Sequence, residues 1–222
     1  GPVISDVLAS SRELLDARGP APHVLSFAWT MLSPDDRTVR AGLGMNTATD
    51  WTSFREALRD LRGPQQNVVY ADVEGRIAFI AAGVVPLRRD DNELRGSLPA
   101  PGWKARYDWI GTIPFDELPQ VDRPADGMLV TANQRIVDDA YPYHLAGEWA
   151  LPYRSDRIAA KLRALDVHDA DAFAAIQADV GSPAVGELLP RLLEAQPRSE
   201  RARRALALLR AWADAQPEPA AP

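Results

Sequence analysis

The sequence predicts an α+β protein in which antiparallel sheet segments come first and a helical region follows. Two observations carry this. Gly and Pro, 14 and 19 in the whole chain, concentrate in the first two thirds, where apolar residues gather in short β-branched and aromatic runs. From about residue 154 the chain turns to Ala, Leu and Arg with few breakers, and its apolar residues recur three and four apart. The expected organisation is a strand-and-loop part over 1–153, a helical part over 154–214, and a disordered tail over 215–222 whose Pro, Glu and Ala cannot bury enough apolar surface.

Taken in order, Val3 to Val7 is a short alternating run. Val24 to Leu32 mixes Val, Phe, Trp and Thr after a Pro-rich turn and reads as a strand. Asp50 offers an N-cap to a helix that puts Trp51, Phe54, Leu58 and Leu61 on one face, and Gly63-Pro64 ends it. Val68–Val73 and Ile77–Ala81 flank Glu74-Gly75-Arg76, which predicts a hairpin with Gly75 at positive φ. Residues 84–127 hold much of the proline and read as a long functional or packing loop. Met128 to Thr131 reads as a returning strand. Helices follow on Ile158/Leu162/Leu165, Ala172/Phe173/Ile176, Leu188/Leu189/Leu192/Leu193 and Leu206/Leu208/Leu209/Trp212.

Composition narrows the function. A formal charge of −6 argues against a nucleic-acid or anionic-membrane surface, because phosphate contacts need a basic face. No apolar run reaches the length of a membrane span. Zero cysteines exclude disulfides, thiolate nucleophiles and Cys-ligated zinc. The three histidines, His23, His144 and His168, have no metal-ligand spacing, and Asp90-Asp91-Asn92-Glu93 lacks the alternation and central glycine of a calcium loop. Phosphate-loop, dinucleotide and nucleophile-elbow motifs are missing from the sequence.

Two polar positions are left. Asn133 follows a predicted strand in Thr131-Ala132-Asn133-Gln134-Arg135; its amide could donate to a developing oxyanion, or simply cap a turn. Arg157 opens a helix after Arg154-Ser155-Asp156 and, read alone, is a partner for a nearby carboxylate.

A collinear series resembles the penicillin acylase (penicillin amidase) family of N-terminal-nucleophile hydrolases. It runs through Gly1-Pro2-Val3-Ile4, Phe27-Ala28-Trp29-Thr30, Asn67-Val68-Val69-Tyr70-Ala71-Asp72, Gly75-Arg76-Ile77, Pro99-Ala100-Pro101-Gly102-Trp103 and Trp109-Ile110-Gly111. It continues with Ile113-Pro114-Phe115, Leu118-Pro119, Ala132-Asn133-Gln134-Arg135, Tyr141-Pro142, Arg154-Ser155-Asp156-Arg157-Ile158 and Ile176-Gln177-Ala178-Asp179. The match covers about residues 1–195.

The resemblance implies part of an αββα fold and a split active site. A serine exposed by precursor processing attacks the amide carbonyl, with its own α-amino group as base, whose ordinary pKa of about 8 suits neutral pH. The oxyanion asparagine falls on Asn133 and the active-site arginine on Arg157. Gln134 stands where the family often has a second asparagine. The nucleophilic serine is expected outside this chain, which then reads as part of a β chain. Its partners are the remainder of that β chain, the α chain and a small N-acyl amide, with no nucleic acid or membrane; the chain alone is expected to be inactive. The family's compartment is periplasmic or secreted. No cofactor is expected: the family's structural calcium would find a carbonyl near Gly96, but Tyr143, His144 and Leu145 stand where some members place an aspartate. The alternative function is a non-catalytic relic or partner-binding module of the same fold.

Overall fold

A computed structural model describes residues 1–16 and 23–214; the expected tail 215–222 lies outside them. The chain forms two compact units, Gly1–Leu129 with Val137–Glu148, and Val130–Ile136 with the chain from Trp149 onward. The turn bearing Asn133 therefore belongs with the helices rather than with the strand-rich unit that precedes it.

The first unit begins with Val3 bridged to Ser26, followed by helix α1 (Ala9–Asp16). The strand expected over Val24–Leu32 does not form. Ile4 N donates to Leu25 O and Phe27 N to Pro2 O, after which Thr30–Leu32 make a single 3-10 turn. Among the described residues, the β-bridge to this run comes from the short segment near Val3, and Val24, Phe27 and Trp29 stay exposed. A ladder needs a partner along its whole length, and hydrophobic composition alone does not supply one.

Helix α2 (Thr38–Thr47) was not legible, since Gly42 and Gly44 lower helix propensity. Gly44 is nonetheless required by packing: a Cβ there would stand 2.8 Å from the Ala57 Cβ, so α2 and α3 (Trp51–Ala57) pack without room for a side chain. Helix α3 starts as expected at Asp50, whose side chain accepts from Ser53 N at 2.7 Å while Ser53 Oγ accepts from Asp50 N at 3.2 Å. A 3-10 turn, Leu58–Asp60, extends α3 toward Gly63.

Strands β1 (Gln66–Ala71) and β2 (Ile77–Ala82) form the expected hairpin, with Ala71 opposite Ile77 and Gly75 at φ 81°. Asp72 holds the turn by accepting from Glu74 N and Arg76 N. Within the expected loop, β3 (Pro86–Arg88) pairs antiparallel with β4 (Trp109–Thr112), and β5 (Gln120–Asp122) adds to the other side of β2. These strands have three or four residues and their partners are distant in sequence, so no local pattern announced them. Arg76 ties the hairpin to β5 through a two-pronged contact with Asp122 at 2.8 and 2.6 Å.

The core lies where β2 meets α3. Trp51, Leu58, Ala78, Ile80 and Ala82 are buried together, and Phe54 and Tyr70 close the cluster with Trp51 at ring separations of 5.2–6.3 Å. Alanines at alternate β2 positions let the helix approach the sheet closely.

Where the first unit gives way to the second, Met128–Thr131 does not yield the expected strand. The Gln134 amide takes up the backbone instead, accepting from Ala132 N at 2.6 Å and donating to Val130 O at 2.9 Å. The helices follow as predicted: α4 (Tyr153–Arg163), α5 (Ala170–Gln177), α6 (Pro183–Leu193) and α7 (Glu200–Asp214). Asp169 caps α5 through Ala172 N, and Pro183 opens α6 where its missing N–H costs nothing. No helix among the described residues is long and apolar enough to cross a membrane.

Candidate active site

Asn133 sits on the turn between Ala132 and Gln134 with φ 67°, a left-handed conformation that asparagine tolerates better than other side-chain-bearing residues. Its backbone carbonyl accepts from Ala150 N at 2.9 Å, and Gln134 braces the turn from the other side. The side chain is exposed, and its Oδ1 accepts from Arg154 Nη2 at 2.9 Å. An arginine can only donate, so this contact fixes which end of the amide faces it. Among the described residues, no acceptor meets the Nδ2 protons.

Arg154 lies in the first turn of α4. The next residue, Ser155, is buried and donates from Oγ to Pro152 O at 2.8 Å, which fixes the start of the helix. Arg157, which the resemblance singles out, faces elsewhere: its Nε and Nη2 contact Asp179 at 2.7 and 3.0 Å. Lys161 also reaches Asp179 at 3.5 Å. The hydrogen bonds from Arg157 hold the Asp179 carboxyl far below the usual carboxylate range and raise Arg157 in turn. Gly181 completes this arrangement, because a Cβ there would stand 2.5 Å from Arg157 Nη2.

The guanidinium brought to Asn133 is thus that of Arg154. The motif Arg154-Ser155-Asp156-Arg157 offers two arginines three apart on one helical face, and spacing alone cannot choose between them. The acidic partner that occupies Arg157 lies 22 residues further on, in the Gln177-Ala178-Asp179 segment of the resemblance series.

In the first unit, a cleft of about 390 Å³ is walled by Phe27, Trp29, Leu32, Val84 and Trp109, with Arg62 at its edge. Part of its lining comes from the run that failed to form a strand and kept Phe27 and Trp29 exposed. The positions where the resemblance suggests calcium also fall in this unit, beside cationic side chains. The Gly96 turn lies against the Arg88 guanidinium, and burial, then Arg95 and Arg88, lower the His144 pKa. Among the described residues, no group of three or more His, Asp or Glu stands together to hold a metal ion.

The penicillin amidase family model matches residues 1–221, and the chain belongs to that family. It is 38% identical over 168 residues to the penicillin acylase 2 proenzyme of Pseudomonas sp. (strain SE83), covering 76% of this chain and 21% of that protein. It is 31% identical over 205 residues to the acyl-homoserine lactone acylase QuiP of Pseudomonas fluorescens (strain Pf0-1), covering 86% and 24%. Among solved structures, the thermostable penicillin G acylase of Alcaligenes faecalis aligns with a TM-score of 0.59 and 21% identity, over 88% of this chain and 39% of that one. The chain therefore shares the α+β fold of that acylase, and it spans between a fifth and a quarter of the length of these curated relatives.

Proposed function

We propose that this chain is part of an acylase that hydrolyses linear N-acyl amides, and that Asn133 supplies the side-chain donor to the oxyanion. The observation that carries the reading is the Arg154–Asn133 contact: with Oδ1 held by a donor at 2.9 Å, the amide is oriented and its N–H groups are the donors it offers a substrate. An oxyanion donor must be oriented before the charge appears, and the Gln134 brace, the Ala150 contact and Arg154 together provide that orientation.

The chemistry follows from family membership and these groups. A serine supplied from outside residues 1–222 attacks the amide carbonyl as its α-amino group takes the Oγ proton. The carbonyl oxygen becomes an alkoxide and receives the hydrogen bond from Asn133 Nδ2. Collapse breaks the C–N bond, the amine leaves with the proton, and water then cleaves the acyl ester by the same route. Arg154 holds Asn133 throughout. Arg157 acts one turn further along α4, where its pair with Asp179 fixes the helix from which Arg154 reaches out.

The relatives' names, a penicillin acylase and acyl-homoserine lactone acylases, support an N-acyl substrate class. The remainder of the β chain and the α chain are the proposed partners. Release of amine from aliphatic and phenylacetyl amides by the mature full-length protein tests the assignment; wild-type turnover with no slowing in Asn133→Ala would remove Asn133 from it.

A further inference from the structure

We propose that Arg88, Arg95 and His144 form a binding site for an oxyanion, a carboxylate or an anion of similar oxygen geometry. Arg88 ends β3 and is half-buried, yet among the described residues its guanidinium makes a single hydrogen bond, a long 3.4 Å contact to Pro86 O in its own strand. Arg55, Arg76 and Arg157 each meet a carboxylate at 2.6–2.7 Å. Arg88 has no such partner among the described residues, and burial alone lowers its pKa. A cation withdrawn from water without a counter-charge is costly, and a guanidinium's fork of donors matches two oxygens of one anion.

The surroundings are a built turn rather than a loose surface. Arg95 and Gly96 are both left-handed, at φ 46° and 84°. The buried Asn92 locks them by accepting from Arg95 N at 2.9 Å. A Cβ at Gly96 would stand 2.8 Å from Arg88 Nη2, so the glycine lets the guanidinium lie against the turn. Ser97 Oγ would be 3.2 Å from a Cβ at Gly147, which brings the strip bearing His144 to the same turn. Arg95 and Arg88 both act on His144, whose pKa burial and these charges lower. No carboxylate among the described residues makes an ion pair with any of the three groups.

The oxygens can come from a dissolved anion or from a carboxylate side chain elsewhere in the longer polypeptide, and one experiment separates the two. The thermal midpoint of the mature full-length protein is followed while chloride is exchanged for sulfate at constant ionic strength, for wild type, Arg95→Gln and Arg88→Gln/Arg95→Gln. A saturable rise of about 2 °C in wild type that is lost in the variants supports a site open to dissolved anions. Indifference to sulfate, with a lowered midpoint in Arg95→Gln, supports a protein carboxylate already in place. The exposed Arg95 keeps the test readable if removal of Arg88 prevents folding. Equal sulfate responses in wild type and Arg95→Gln would overturn the proposal, as would no response combined with an unchanged or raised Arg95→Gln midpoint.

Discussion

Arg154 grips Asn133 by its amide oxygen, with Nη2 2.9 Å from Oδ1, on a turn that Gln134 closes from the opposite side. The contact gives a backbone-exposed asparagine a fixed polarity. Its consequence is that the two residues act as one unit, which makes their variants non-additive.

Arg154→Gln in the mature full-length protein should slow single-turnover acylation about tenfold, the effect of losing one charge-assisted hydrogen bond of about 1.5 kcal/mol. In an Asn133→Gly background the same change should matter less than about twofold, because nothing remains to be oriented. Full additivity in a double-mutant cycle on acylation rate would show that Arg154 acts independently of Asn133.

The backbone at 133 can be separated from the amide. Asn133→Ala places an alanine at φ 67° and should lower stability by about 1 kcal/mol, whereas Asn133→Gly relieves that conformation and should cost less. Denaturant midpoints of the two variants provide the comparison.

Arg157 and Asp179 yield a pH prediction. The Asp179 carboxyl is held below its unfolded value, chiefly by the Arg157 hydrogen bonds, so its contribution is complete above an unfolded pKa of about 3.9. That contribution is lost as pH falls through the lower folded value. Asp179→Asn should therefore lower the midpoint at pH 7 and flatten the acid limb of the stability curve below about pH 4. A curve parallel to wild type through pH 2–5 would contradict the assigned pair.

Gly181→Ala should mimic the loss of that pair, since its Cβ would stand 2.5 Å from Arg157 Nη2 and push the guanidinium off Asp179. A loss of about 1 kcal/mol is expected, and little more should follow when Asp179→Asn is added. Urea midpoints of the single and double variants test this.

The sequence was most legible where local chemistry decides structure. Asp50 announced its helix because the cap is made within four residues, and Gly75 announced its hairpin because few other residues accept φ 81°. It was least legible where partners lie far apart: β3, β4 and β5 are set by pairing across tens of residues, and the Val24–Leu32 run meets no more than a single bridge, Val3 to Ser26, among the described residues. Helical spacing located α5, α6 and α7, yet Phe173, Leu188, Leu192 and Leu208 remain about half-exposed or more, so periodicity reported the element and not its burial. At the site, the family motif names Asn133 and Arg157, while the contact of Arg154 with Asn133 required the geometry, because two arginines share one short motif and the other pairs with Asp179.

Donation from the Asn133 N–H to the oxyanion is tested most directly by single-turnover acylation with Asn133→Gly in the mature full-length protein. Glycine keeps the left-handed turn and removes only the amide, so the denaturant midpoint serves as an internal control for folding. The account predicts a rate lowered about 100- to 1000-fold with a midpoint close to wild type. A near-normal rate in the folded variant would contradict it and leave Asn133 as a residue of the turn alone.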